Sequence, residues 1–169
     1  MKRLIIIALA TVVALSLVLM PAVGVSAASP KMEVSGTFGL HTFTAYETLE
    51  VGPNVILFVE IGADWAGDLQ GSDLGYGIEV DRANGRYVLN SISTWEGTID
   101  GKFGTIQITT ASRGLYGPDP GPPLWFTGTM TLVGLSGELA GVHGKITFGS
   151  PMVLPPDPYP IPYSGWIMF

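Results

Sequence analysis

A short motif that occurs three times along the chain constrains its fold more than any other feature. Residues 65–71 read W-A-G-D-L-Q-G, residues 95–101 read W-E-G-T-I-D-G, and residues 135–141 read L-S-G-E-L-A-G. Each copy places a bulky side chain, glycine, an aliphatic side chain and glycine at steps of two, so all four face one side of an extended strand. Glycines beside bulky groups let a sheet coil sharply. We therefore predict strongly curved strands that build a barrel, rather than a calcium-binding β-roll, whose repeats are more regular and richer in aspartate.

Proline positions show where the sheet must lie. Proline is absent from residues 54–117 and 124–150, and a central strand excludes proline because it lacks the backbone N–H of the ladder. Within both stretches hydrophobic residues recur with a period of two, and no segment has a convincing helical pattern. We predict about eight strands, at residues 34–40, 55–69 (one long strand, or two joined by a bend), 74–80, 87–95, 104–110, 125–133, 144–148 and 163–169.

The segments between the predicted strands have the composition of turns and loops. Asn84 with Gly85, and Asp100 with Gly101, predict type I′ hairpin turns, in which both residues need positive φ. The proline-rich segments 117–123 and 151–162 predict stiff, extended loops. Neither loop is long enough to form a separate domain, so we expect one domain over residues 28–169.

The N-terminal segment has the pattern of an export signal. Lys2 and Arg3 precede an uncharged apolar run over residues 4–20, and small residues follow at 25–27. This order predicts a signal peptide over residues 1–27 and an exported protein, located in the periplasm, outside the cell or at the cell surface. The alternative is a retained membrane anchor, because the run nearly reaches the length that spans a bilayer.

The composition of residues 28–169 limits the partners of the domain. These 142 residues contain six basic and 14 acidic side chains, a net charge of −8. Such a surface repels phosphate backbones, so we expect no nucleic-acid partner, and contact with a membrane only through the signal segment. Cysteine is absent, so core packing and strand pairing must stabilise the domain without disulfides.

Two segments of the chain resemble a known family. Residues 95–106, W-E-G-T-I-D-G-K-F-G-T-I, and residues 134–144, G-L-S-G-E-L-A-G-V-H-G, are similar to segments of a bacterial family of unknown function that has the allene oxide cyclase-like barrel. The similarity spans residues 33–148, with a departure at Ser93, where an acidic residue is expected. The resemblance implies an all-β fold: a single closed antiparallel barrel of about eight strands. Plant allene oxide cyclase isomerises a fatty-acid epoxide inside its barrel, but its active-site polar residues have no counterparts that can be placed on this chain.

The residues themselves predict no catalytic or metal site. The two histidines, His41 and His143, lie in different predicted strands or turns, and neither has the spacing of a metal ligand. No serine lies in a Gly-x-Ser-x-Gly elbow. We therefore predict no catalytic residues, no metal and no cofactor.

The acidic residues also favour a solvated surface over a site. Glu60, Asp64 and Asp68 share one strand face at four-residue steps, which separates successive carboxylates by about 13 Å. That distance is too long for one ion or for the carboxylate pair of a glycosidase. Glu96 and Glu138, at equivalent positions of two motif copies, are expected to face outward.

The aromatic residues are the best candidates for binding. We predict that six of them line the mouth or interior of a barrel that holds one small apolar ligand: Trp65, Tyr76, Trp95, Trp125, Phe126 and Tyr163. The competing interpretation is that an eight-stranded barrel of this size is simply filled by its own side chains.

Three functional hypotheses follow. The leading one is a non-catalytic barrel that binds a small hydrophobic molecule. The first alternative is an isomerase like allene oxide cyclase, which would need an inward acid or tyrosine in a dry pocket. The second is an eight-stranded outer-membrane barrel, suggested by apolar residues that alternate up to the terminal Phe169. Against it, the chain lacks repeated ten-residue strands with an apolar lipid-facing side.

Overall fold

The structure, a computed structural model, describes residues 30–116, 123–150 and 160–169. The predicted signal peptide lies outside these residues, as do residues 117–122 and 151–159 of the predicted proline-rich loops. The loop prediction is wrong for Pro123, Ile161 and Pro162, which lie at the beginnings of two strands, where proline is tolerated. The described ranges contain eight strands and no helix, and therefore no helix that is long and apolar enough to cross a membrane. The all-β prediction and the number of strands are confirmed. The strands are β1 (Met32–Val51), β2 (Asn54–Gly67), β3 (Leu69–Asp81), β4 (Arg86–Ile99), β5 (Lys102–Tyr116), β6 (Pro123–Gly137), β7 (His143–Ser150) and β8 (Ile161–Met168).

The eight strands form one ring-like antiparallel sheet. Each strand pairs with its neighbours in sequence, and β1 also pairs with β8, so the strand order returns to its start. The β1–β8 pairing extends only from Met32 to Phe38 of β1, whereas β1 continues along β2 as far as Val51. The last part of β1 therefore has β2 as its only ladder partner among the described residues, which leaves the ring less continuous beside Leu40 and His41.

Alternating side chains of β4 and β5 build the inner face of the ring. In β4 the buried positions from Tyr87 to Ile99 follow one another at steps of two, and every residue between them is exposed or half-buried. β5 shows the same alternation. This period of two is what the sequence pattern predicts for a sheet with one buried face.

The three motif copies all lie at one end of the ring, which we call the motif end. The copies span the β2–β3, β4–β5 and β6–β7 connections. In the first copy Asp68 joins two antiparallel strands, so residues 55–69 do not form one long strand. The motif end is packed solid, because its largest side chains are fully buried: Leu69, Trp95, Ile99, Ile106, Leu139 and Ile167.

Glycines of the motif allow the close packing at this end. Gly71 and Gly97 face each other across β3 and β4. A Cβ atom on Gly97 would collide with the carbonyl oxygen of Gln70 and would come within 2.7 Å of the Trp95 ring. The missing side chains therefore make room for Trp95, as expected where strands curve tightly.

Two predicted details are wrong, one in the third motif copy and one in a hairpin turn. In the third copy Leu135 is half exposed while Leu139 is fully buried, so the copy does not keep one face. The reason is that β6 ends at Gly137 and the chain enters a turn, which breaks the alternation of an extended strand. Residues 82–85 form a four-residue connection in which only Gly85 has positive φ, so the type I′ turn predicted at Asn84 does not form.

The second predicted turn agrees with the structure. Asp100 has a φ of 52° and Gly101 has a φ of 74°, and these two residues join β4 to β5. Positive φ at both positions is the requirement of a type I′ turn. The two-residue connection fixes the register in which β4 and β5 pair, from Ile99 opposite Lys102 onward.

Candidate functional site

The end of the ring opposite the motif end encloses a cavity. Its volume is about 490 Å³, within the usual range for sites that hold small molecules. Residues of β1 to β6 line the cavity, together with Phe148 of β7 and Ile161, the first residue of β8. Its apolar lining residues include Phe38, Ile61, Leu89, Phe126, Met130 and Ile161. The ring is therefore solid at one end and hollow at the other.

Stacked aromatic rings form part of the apolar wall. The rings of Phe38 and Trp65 stack with their centroids 4.9 Å apart, and Phe148 meets Phe38 edge-on at 5.4 Å. Such contacts hold large side chains in fixed positions. All three residues line the cavity, so the packed rings form part of its apolar lining.

Polar side chains on β3, β4 and β5 also line the cavity, and we call them the polar strip. Small hydroxyl side chains occupy inward positions of β4 and β5: Ser91, Ser93, Thr110 and Ser112. All four are buried, with at most 8 % of their surface exposed. Short side chains at four inward positions leave the space that bulkier residues fill at the motif end.

Asp73 is held firmly at one end of the polar strip. Its Oδ1 accepts a hydrogen bond of 2.8 Å from the backbone N–H of Ala63, and its Oδ2 accepts one of 2.7 Å from the hydroxyl of Ser93. Burial raises the pKa of Asp73, while these two hydrogen bonds and the nearby Trp65 and His41 oppose the rise. The carboxyl group is therefore fixed in position, and its hydrogen bonds offset only part of the free-energy cost of removing the charged form from water.

Glu79 lies farther along β3 and is almost completely buried, with 1 % of its surface exposed. Its Oε1 accepts a hydrogen bond of 2.8 Å from the hydroxyl of Tyr116. Burial raises the pKa of Glu79 from 4.5 to about 7, and the neighbouring Asp81 raises it further, through both its negative charge and a hydrogen bond. Burial and the charge of Glu79 raise the pKa of Tyr116 as well, so this phenol remains a hydrogen-bond donor.

The structure separates the six aromatic residues that the sequence suggests for binding. Trp65 and Phe126 line the cavity. Trp95 is fully buried in the motif end, away from the cavity. Tyr163 is buried next to Trp65, with ring centroids 5.2 Å apart, and its hydroxyl oxygen accepts a hydrogen bond from the N–H of Leu69.

The other two aromatic residues lie outside the ring. Trp125 is half-buried on the outer face of β6, and Tyr76 is 55 % exposed on the outer face of β3. Tyr76 contacts Tyr46 there, with ring centroids 6.2 Å apart. Both face away from the cavity, because each lies on the same side of its strand as a series of exposed residues.

The orientation of β3 explains why sequence reasoning missed the two cavity carboxyls. The apolar residues Leu74 and Ile78 are exposed, whereas Asp73 and Glu79 face inward. The intervening inward positions are the buried Gly75 and Gly77. A Cβ atom at Gly75 would collide with the backbone of β4, so glycine is required where β3 approaches β4 closely. The two glycines lie on the same side of β3 as the two acids. In the sequence, they are the sign that this side of the strand faces the interior of the ring.

The histidines and the other acids lie at the surface. His41 is exposed at the rim of the cavity, where its Nδ1 lies 3.0 Å from the hydroxyl oxygen of Thr42. His143 is exposed beside Trp166. Asp64, Glu96 and Glu138 are exposed, as expected. In the part of the chain that the structure covers, no group of three or more His, Asp or Glu side chains could hold a metal ion.

Comparison with known proteins identifies a structural neighbour. No family model matches the chain, and no curated protein matches it. A crystal structure of a protein of unknown function from the DUF3224 family of Shewanella oneidensis MR-1 is similar, with a TM-score of 0.62 and 18% sequence identity. The similarity covers 83% of this chain and 98% of the Shewanella protein. It shows a common fold with a member of a family of unknown function, and the kinship with allene oxide cyclase stays a prediction.

Proposed function

We propose that the chain is an exported, closed β-barrel that binds a small hydrophobic molecule without altering it. The observation that carries this proposal is the contrast between the two ends of the ring. Bulky side chains fill the motif end, whereas short hydroxyl side chains and rigid aromatic rings surround an unfilled cavity of about 490 Å³ at the other end. Apolar pockets with a few fixed polar groups are typical of sites for small ligands.

Titration with apolar compounds tests the proposal. The indole of Trp65 lines the cavity, so the tryptophan fluorescence of the protein is expected to change saturably as 4-phenylbutan-1-ol or a similar apolar alcohol is added. Ser91→Phe places a large ring at an inward, cavity-lining position and should weaken binding at least about tenfold, because it fills the space that the probe needs.

A matched variant controls for effects on the sheet itself. Thr94→Phe adds the same ring on the exposed face of the same strand, and it should leave binding unchanged. A flat fluorescence response across a broad panel of apolar compounds would show that the cavity is not a binding site.

One observation favours the isomerase alternative. Glu79 and Tyr116 form a hydrogen-bonded acid and phenol in a cavity-lining position, which is the kind of inward pair that such an enzyme would need. The two hypotheses differ in the fate of the ligand. Binding without chemistry predicts that an epoxide-bearing fatty acid is recovered unchanged after incubation with the protein, as judged by chromatography, whereas an isomerase would convert it.

The outer faces of β5 and β6 support the binding proposal over the outer-membrane alternative, whereas those of β3 and β4 carry exposed apolar residues: Leu74, Tyr76, Ile78 and Ile92. The outward positions of β5 and β6 carry a series of exposed threonines: Thr109, Thr127, Thr129 and Thr131. A strand that faces lipid needs an apolar outer band instead. Fractionation of cells into soluble and membrane pools separates these two possibilities.

A further inference from the structure

The cavity contains acidic groups, and among the described residues no Lys or Arg pairs with them. Asp73 and Glu79 line it, and burial opposes the ionisation of both. None of the six Lys and Arg residues in the domain lines the cavity; all lie at exposed or half-buried positions: Lys31, Arg82, Arg86, Lys102, Arg113 and Lys145. The described residues include every Lys and Arg of residues 28–169, and none of these cations forms an ion pair with either carboxyl. His41, at the exposed rim, acts on Asp73 through its charge and favours the ionised carboxylate.

The surroundings of Asp73 resemble a half-completed site for a cation. The backbone N–H of Ala63 and the hydroxyl of Ser93 fix its two oxygens, which leaves further lone pairs free to accept hydrogen bonds. The rings of Phe38 and Trp65 line the same cavity, and aromatic rings attract a cation that lies over a ring face. A carboxylate beside aromatic rings is a favourable combination for an ammonium group.

The indole N–H of Trp65 acts on the same carboxylate. Trp65 is only 5 % exposed, and its N–H makes no hydrogen bond of good geometry among the described residues, but as a donor beside Asp73 it favours the ionised form of that carboxyl. A buried donor needs an acceptor, which the ionised Asp73 or a bridging water can supply and an ammonium group cannot. Trp65 therefore favours the negative charge on Asp73 that a cationic ligand requires.

We propose that the molecule bound in this cavity is an apolar amine whose protonated nitrogen pairs with Asp73, an inference that rests on the binding function proposed above. The amine places its cation between the carboxylate and the aromatic rings, and its apolar part occupies the space towards Leu89 and Phe126. An apolar carboxylic acid is disfavoured, because its negative charge would approach both Asp73 and Glu79, and no Lys or Arg lines the cavity to balance it.

Three probes of equal length test this assignment by isothermal titration calorimetry: 4-phenylbutylamine, 4-phenylbutan-1-ol and 4-phenylbutyrate. We expect the amine to bind at least about tenfold more tightly than the alcohol, the effect of a hydrogen bond between charged groups, and the acid to bind most weakly. Asp73→Asn should reduce the affinity for the amine to that for the alcohol. Asp64→Asn, the same change on the outer face of the neighbouring strand, should preserve the preference.

The outcomes separate this inference from the function on which it rests. Equal binding of the amine and the alcohol overturns the amine proposal and leaves the binding function standing. Binding of none of the probes contradicts the binding function itself. Loss of the amine preference in Glu79→Gln but not in Asp73→Asn overturns the assignment to Asp73. The comparison of the three probes on the unmodified protein needs no variant, so a folding defect of Asp73→Asn leaves the test intact.

Discussion

Replacing Trp95 with alanine is expected to lower the free energy of unfolding by about 3–5 kcal/mol, the usual cost of deleting a buried tryptophan. Trp95 is fully buried in the motif end, where its ring packs against Gly97. The surrounding strands are held by ladders on both sides of β4, so they cannot move inward to fill the space. Urea denaturation followed by circular dichroism measures the change.

Two further tryptophan variants sharpen this prediction. The indole N–H of Trp95 is buried without a partner among the described residues, so Trp95→Phe removes an unsatisfied donor and should cost much less than Trp95→Ala. Trp125→Ala, on the outer face of β6, is the control and should have a small effect. Equal losses for Trp95→Ala and Trp125→Ala would contradict a packed motif end.

The stability of the protein should fall as the pH rises from about 4.5 to 8. Burial raises the pKa of Glu79 from 4.5 to about 7, so between these values the folded protein keeps a proton that the unfolded chain releases. The contribution of Glu79 to the free energy of unfolding is fully present below pH 4.5 and is lost as the pH rises through 7. Each unit of pKa shift corresponds to about 1.4 kcal/mol, so the total loss is about 3 kcal/mol.

Glu79→Gln tests the origin of this pH dependence. The amide has the shape of the protonated carboxyl and can still accept the hydrogen bond of Tyr116, but it has no proton to lose. Plots of unfolding free energy against pH should therefore be flatter for this variant between pH 4.5 and 8. Glu60→Gln, on the outer face of β2, should leave the slope unchanged. A slope that persists in Glu79→Gln would place its origin in another group.

The sequence predicts the strands of this fold well, because their determinants are local. The period-two pattern locates all eight strands, although Pro123 and Pro162, which the proline argument assigns to loops, lie at the beginnings of β6 and β8. The length of β1 was missed: the strand continues past Leu40 to Val51, through residues of mixed polarity with register shifts against β2. These residues pair with β2 and remain largely exposed, so hydrophobic alternation gives no sign of them.

The candidate site was harder to predict, because hydropathy alone misjudges which face of β3 is inward. In this strand close approach to β4 demands glycine on the concave face, and the acids Asp73 and Glu79 share that face. The apolar Tyr76 is consequently outside, in contact with Tyr46. Trp65 and Phe126 could be located from the sequence, since in β2 and β6 the large apolar residues at these positions face inward. The hydroxyl positions on β4 and β5, which leave the cavity open, become apparent only when the strands are paired.

The most direct measurement of the central claim is a crystal structure of the protein grown with saturating 4-phenylbutylamine. We predict electron density for the phenyl group of the probe within the hollow end of the ring, near Phe126 and Leu89, and for its nitrogen within hydrogen-bond distance of Asp73. Clear density for the probe only on the outer surface, or side chains that close the cavity in the crystal, would contradict it.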